Sequence, residues 1–93
     1  MRERDIEKYL REQVKAAGGK AYKWNSPGNS GVPDRIVIMP GNCITFVELK
    51  APGKQPTKLQ LVQHKRLREM DCDVRVIDSI EQVDELLQEM TGI

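Results

Sequence analysis

The chain has 93 residues, 15 Lys and Arg against 14 Asp and Glu, and a formal net charge of +1. That length holds one small domain, and 31% charged with 4% aromatic residues describes a soluble chain short of large core-filling side chains. No run approaches the ~18 apolar residues of a membrane span, so a membrane partner is excluded.

The predicted elements follow in chain order. Residues 5–17 read as a helix, because Ile6, Leu10, Val14 and Ala17 recur at the spacing of one buried stripe. Gly18-Gly19 ends it. A short strand at Ala21–Trp24 leads into Asn25-Ser26-Pro27-Gly28-Asn29-Ser30-Gly31, a loop dense in turn formers. Arg35–Met39 and Ile44–Leu49 are β-branched runs joined by Pro40-Gly41-Asn42, which predicts an antiparallel hairpin. Ala51–Pro56 is a connector bearing Lys54. Thr57 is placed to cap a helix to Met70, buried through Leu59, Val62, Leu67 and Met70. Val74–Ile77 is a further core strand. Ser79 with Gln82 forms a capping box that opens a last helix, with Ile80, Val83, Leu87 and Met90 inward. The order α-β-β-β-α-β-α predicts an α/β domain, one mixed sheet flanked by helices.

The near-neutral total conceals a polarised chain. Residues 1–48 carry 8 basic and 6 acidic side chains, residues 49–68 carry 6 basic and none acidic, and residues 69–93 carry 1 basic and 8 acidic. The middle block suits either a phosphate backbone or a solvated helix face. Cys43 and Cys72 have no metal-site spacing and are too few for a disulfide framework, and the start Met1-Arg2-Glu3-Arg4-Asp5 lacks the apolar centre of a signal peptide. Both features predict a reducing, cytoplasmic setting.

Chemistry concentrates at Pro33-Asp34 and, after 13 intervening residues, Glu48-Leu49-Lys50. Glu48 and Lys50 alternate to the same face of a strand, about 7 Å apart. Antiparallel pairing of the hairpin brings Asp34 toward Glu48. Two carboxylates at one sheet edge suit a hard cation such as Mg²⁺, with the Leu49 carbonyl as a third ligand. Lys50 beside it has three roles open to it: orienting water, accepting its proton, or neutralising the transition state. The same residues also suit a cross-strand ion pair next to a turn.

Gly31-Val32-Pro33-Asp34 followed by Val47-Glu48-Leu49-Lys50 resembles the PD-(D/E)xK nuclease signature, and more narrowly the virus-type replication-repair nuclease (VRR-NUC) family. The resemblance runs from about Glu7 to Leu87 and implies a restriction-endonuclease-like fold in a single domain over residues 1–93. It implies Asp34 and Glu48 as metal ligands, Lys50 as the catalytic lysine, Glu7 in the first helix for a second metal or a metal-bound water, and Gln60 to orient water or substrate. An i,i+4 pair with Arg11 is the other reading of Glu7. Lys54, Lys58, Lys65 and His64 are candidate phosphate contacts, as are Ser26 and Asn29 in the loop. Trp24 reads as core packing ahead of base stacking.

Together these features predict an endonuclease dependent on Mg²⁺ or Mn²⁺, without a covalent intermediate. No residues are left for a base-reading module, and phosphate contacts position without specifying. Branched DNA, including four-way (Holliday) junctions, is therefore the expected substrate, in a virus or prophage of a bacterial host. A homodimer is expected from the small footprint and from Leu61, which lies off the apolar stripe of its helix. The competing readings are a non-catalytic binding module of a phage replication complex, and a restriction-type or RNA-directed nuclease of the same fold.

Overall fold

Helix α1 (Glu3–Ala16) starts two residues ahead of the predicted boundary, because the Arg2 N–H donates to Asp5 Oδ2 at 2.9 Å and draws the first turn together. Glu3 and Asp5 place negative charge at the free N–H groups of that turn. Ile6, Leu10 and Val14 are fully buried, each contributing roughly 1.5–3 kcal/mol by removal from water. The computed structural model describes residues 1–92.

Strands β1 (Lys20–Lys23), β2 (Arg35–Met39) and β3 (Cys43–Leu49) form an antiparallel meander. Helix α2 (Lys58–Glu69) then crosses over to β4 (Val74–Ile77), which lies parallel to β3, and α3 (Ile80–Thr91) follows. The sheet order is β1-β2-β3-β4, so the expected element order and mixed sheet both hold. Strand β1 sits one residue earlier than predicted. Its pairing nevertheless continues at Trp24, whose N–H donates to the Asp34 carbonyl at 2.9 Å.

Period-two alternation divides the sheet. Val37, Met39, Val47, Leu49 and Ile77 join Ile6, Leu10, Val14, Val83 and Leu86 in the core under α1 and α3. On the opposite face Tyr22, Ile38 and Ile44 are exposed, Trp24 packs on Phe46 with ring centroids 5.2 Å apart, and Glu48 is buried. Opposite-face residues pair directly, Ile36 with Phe46 and Ile38 with Ile44.

One predicted helix face is corrected and another is extended. In α2, Leu59, Val62 and Met70 are exposed at 52%, 45% and 67%, and the buried residues are His64 and Leu67. The helix turns the row Gln60, His64, Leu67 inward because the buried Glu48 carboxylate needs donors that Leu and Val lack. In α3, Val83 is buried and Leu87 and Met90 pack against the core as expected, and Leu86 joins them fully buried. The α3 box also shifts. Ser79 Oγ accepts from the Gln82 N–H at 3.2 Å, but Gln82 Oε1 reaches back to the Asp78 N–H at 2.6 Å.

Candidate active site

The site is built at the end of β3. The register sets Arg35 opposite Val47, so Asp34 falls one step further on, level with Glu48. Asp34 Oδ2 accepts from the Leu49 N–H at 2.8 Å, which ties its carboxylate to β3. The turn before it is seated on α2. Gly31 has φ +91, and a Cβ there would stand 2.8 Å from the Leu59 carbonyl oxygen, so only glycine combines this backbone with this approach. Gln63 Nε2 donates to the Ser30 carbonyl at 3.2 Å and holds the same contact.

Glu48 is 1% exposed, and both its oxygens face α2. Gln60 Nε2 donates to Oε2 at 3.1 Å, and His64 Nε2 lies 3.4 Å from Oε1. Burial, followed by the neighbouring Asp34 carboxyl, pushes the Glu48 pKa up to about 8; the Lys50 charge opposes this and Glu3 adds to it. Lys50 continues β3 beyond Leu49, its N–H donating to the Ile77 carbonyl at 2.9 Å, and alternation puts its side chain on the Glu48 face.

Asp34 and Glu48 fit a hard divalent cation. Burial and then the Asp34 carboxyl raise the Glu48 pKa, Lys50 offsets this only in part, and a cation would supply the further positive charge. No group of three or more His, Cys, Asp or Glu in ligating geometry occurs among the described residues. A cation held by these two carboxylates would complete its shell with backbone oxygen and water, which is the habit of Mg²⁺. Leu49, the expected carbonyl donor, lines with Asp34, Glu3, Glu7, Trp24 and Arg35 a polar cavity of about 230 Å³.

Other expected site residues are placed differently. Glu7 Oε1 accepts from Arg11 Nε at 2.6 Å and from Arg35 Nη2 at 2.7 Å, so its charge is committed to two guanidinium groups. Glu3, one turn earlier, adds the weakest of the effects that raise the Glu48 pKa. The i,i+4 spacing of Glu3 and Glu7 is the sequence signal for it. Gln60 is occupied at both ends of its amide. Oε1 accepts from the Thr57 N–H at 2.8 Å, closing the predicted capping box, while Nε2 serves Glu48 rather than solvent.

His64 is corrected outright as a phosphate contact: it is 0% exposed beneath Glu48, where burial, followed by the Arg68 charge, lowers its pKa. Lys54, Lys58 and Lys65 are exposed. Asn29 Nδ2 donates to Ser26 Oγ at 3.0 Å, so these two loop residues bond first to each other.

No family model matches the chain. A curated relative, "Putative nuclease p44" of Acyrthosiphon pisum secondary endosymbiont phage 1, is 52% identical over 79 residues, which is 85% of this chain and 85% of that one. A solved structure described as a VRR_NUC domain superimposes with a TM-score of 0.86 at 39% identity, covering 92% of this chain and 94% of that chain. No helix among the described residues is long and apolar enough to cross a membrane. With this site, this topology and these two relatives, the chain belongs to the VRR-NUC nuclease family and has its restriction-endonuclease-like fold.

Proposed function

We propose that the protein is a metal-dependent endonuclease that hydrolyses phosphodiester bonds in branched DNA, four-way junctions among them. The observation that carries this reading is the pair Asp34–Glu48, two carboxylates driven together at the end of β3 with Lys50 next on the same face. Asp34 and Glu48 would hold Mg²⁺ or Mn²⁺, with the Leu49 carbonyl as the backbone ligand. When bound, the cation polarises a phosphoryl oxygen and acidifies water. Lys50 places a positive charge where the phosphoryl group gains negative charge, and orients the attacking water. Glu48 is held by α2, so once it has released its proton it would bind without changing its orientation.

Branched substrates are supported by the basic stretch from Lys50 to Arg68, which offers phosphate contacts at Lys54, Lys58 and Lys65 that position a duplex without reading its bases. A two-fold homodimer is supported by the exposed Tyr22, Ile38 and Ile44 on the open sheet face and by Leu61 on α2 at 51% exposure. The phage origin of the relative supports action in the cytoplasm of a bacterial host carrying a virus or prophage.

The test is cleavage of labelled four-way junction, flap, linear duplex, single strand and RNA with Mg²⁺ or Mn²⁺, against Asp34→Ala and Lys50→Ala. Metal-dependent cutting of branched DNA, lost by about 10²-fold or more in both variants, is expected. Unchanged activity in both variants refutes the site, and preferred cutting of RNA or linear duplex refutes the substrate. Binding without cutting by the wild type would make the chain a binding module. A monomer in sedimentation refutes the dimer.

A further inference from the structure

His64 is a fully buried imidazole on a helix whose neighbouring apolar side chains, Leu59 and Val62, are left in solvent. Packing alone does not account for that choice. One ring nitrogen, Nε2, stands 3.4 Å from Glu48 Oε1, while the other, Nδ1, has no hydrogen-bond partner. A leucine here would fill the volume without leaving a buried nitrogen unpaired. The ring is therefore retained for what Nε2 does. Gln60, four residues earlier and on the same row of α2, donates to the other oxygen of Glu48 at 3.1 Å. A carboxylate that has given up its proton to bind a cation only accepts, so in that state the ring would present Nε2–H to Glu48 Oε1.

We infer that His64 is a positioning residue: with Gln60 it forms a two-point clamp that fixes the plane of the Glu48 carboxylate and turns its remaining lone pairs toward Asp34. The inference rests on the reading of Asp34 and Glu48 as a metal-binding pair. Outer-shell donors of this kind orient a ligand before the cation arrives, and their loss typically lowers metal affinity 10–100-fold. Gln60 is in turn locked by the cap at Thr57, so the clamp is anchored in the first turn of α2.

The experiment is calorimetric titration of the full chain with MnCl₂, without DNA, for wild type, His64→Gln, His64→Asn and His64→Leu, with folding checked by circular dichroism. A glutamine amide nitrogen reaches about as far as Nε2 of the ring, whereas that of asparagine reaches only as far as Nδ1. His64→Gln should stay within about threefold of wild type, and His64→Asn and His64→Leu should weaken Mn²⁺ binding 10–100-fold. DNA affinity in EDTA should not change in any of them. Equal Mn²⁺ affinity in wild type and folded His64→Leu would overturn the clamp. Equal losses in His64→Gln and His64→Asn would also overturn it, and that pair decides the matter should the leucine variant not fold. A wild type that binds no Mn²⁺ would overturn the metal pair itself, and the clamp with it.

Discussion

Replacing Glu48 by Gln should stabilise the metal-free protein while abolishing phosphodiester cleavage. The folded chain holds this carboxyl at a pKa of about 8, against an ordinary 4.5, with burial the larger cause and the Asp34 carboxyl the next. At pH 7 the folded state therefore keeps a proton that the unfolded chain has released, a penalty on the order of 3 kcal/mol. The sign follows from which state binds the proton more tightly. The stabilisation from that proton is complete below pH 4.5, is lost progressively up to about pH 8, and changes no further above it. The amide of the Glu48→Gln variant is neutral in both states and escapes the loss. It must present N–H₂ as well as C=O to the pocket, and Asp34 can accept from it. A mismatch with Gln60 or His64 costs about 1 kcal/mol. The net gain is about 2 kcal/mol at pH 7, or roughly 10 °C in Tm for a domain of this size. Urea unfolding of both proteins in EDTA from pH 5 to pH 9 measures it. The difference should grow with pH by up to about 1.4 kcal/mol per unit below pH 8 and then level off. A difference that does not vary over this range, or a less stable Glu48→Gln at pH 8, would refute the reasoning. Added Mn²⁺ should narrow the gap by stabilising the wild type.

Gly31→Ala should cost about 2–3 kcal/mol in urea unfolding, from a positive φ and a Cβ driven against the Leu59 carbonyl, and should weaken cleavage by lifting Asp34 off its seat. A loss below about 0.5 kcal/mol would mean that the turn is not seated on α2. Glu7→Gln should cost about 1 kcal/mol through its two arginines and leave Mn²⁺ affinity near wild type, whereas Glu3→Gln should alter Mn²⁺ affinity. The reverse order in calorimetry would restore Glu7 as the acid of the first helix. Lys54→Ala, Lys58→Ala and Lys65→Ala should each weaken DNA binding and lower the slope of log K against log salt by about 0.9. An unchanged slope in all three would remove this face from the DNA path.

Much of the fold is legible because its signals are local. The stripe Ile6-Leu10-Val14, the β-branched runs around Pro40-Gly41-Asn42, and the caps at Thr57 and Ser79 each act over a few residues, and all hold in the structure. The central pair of the site follows from the same locality. A hairpin of fixed length sets its register, and that register carries Asp34 to Glu48 with no tertiary information. Helix α2 is the exception, because its apolar residues suggest a stripe that the interior does not want.

Element order, the mixed sheet and the meeting of the two carboxylates thus follow from the residues alone, since backbone periodicity and turn chemistry act within single hairpins and helices. Which face of α2 turns inward is settled by the assembled fold, and with it the contacts of His64 and Gln60 to Glu48. The fold likewise binds Glu7 to Arg11 and Arg35, while Glu3 adds the weakest of the repulsions that act on Glu48. Both outcomes depend on how a helix is rotated about its own axis. In α2 a buried carboxyl group favours one rotation through its need for hydrogen-bond partners, and those partners come from a segment distant in the chain.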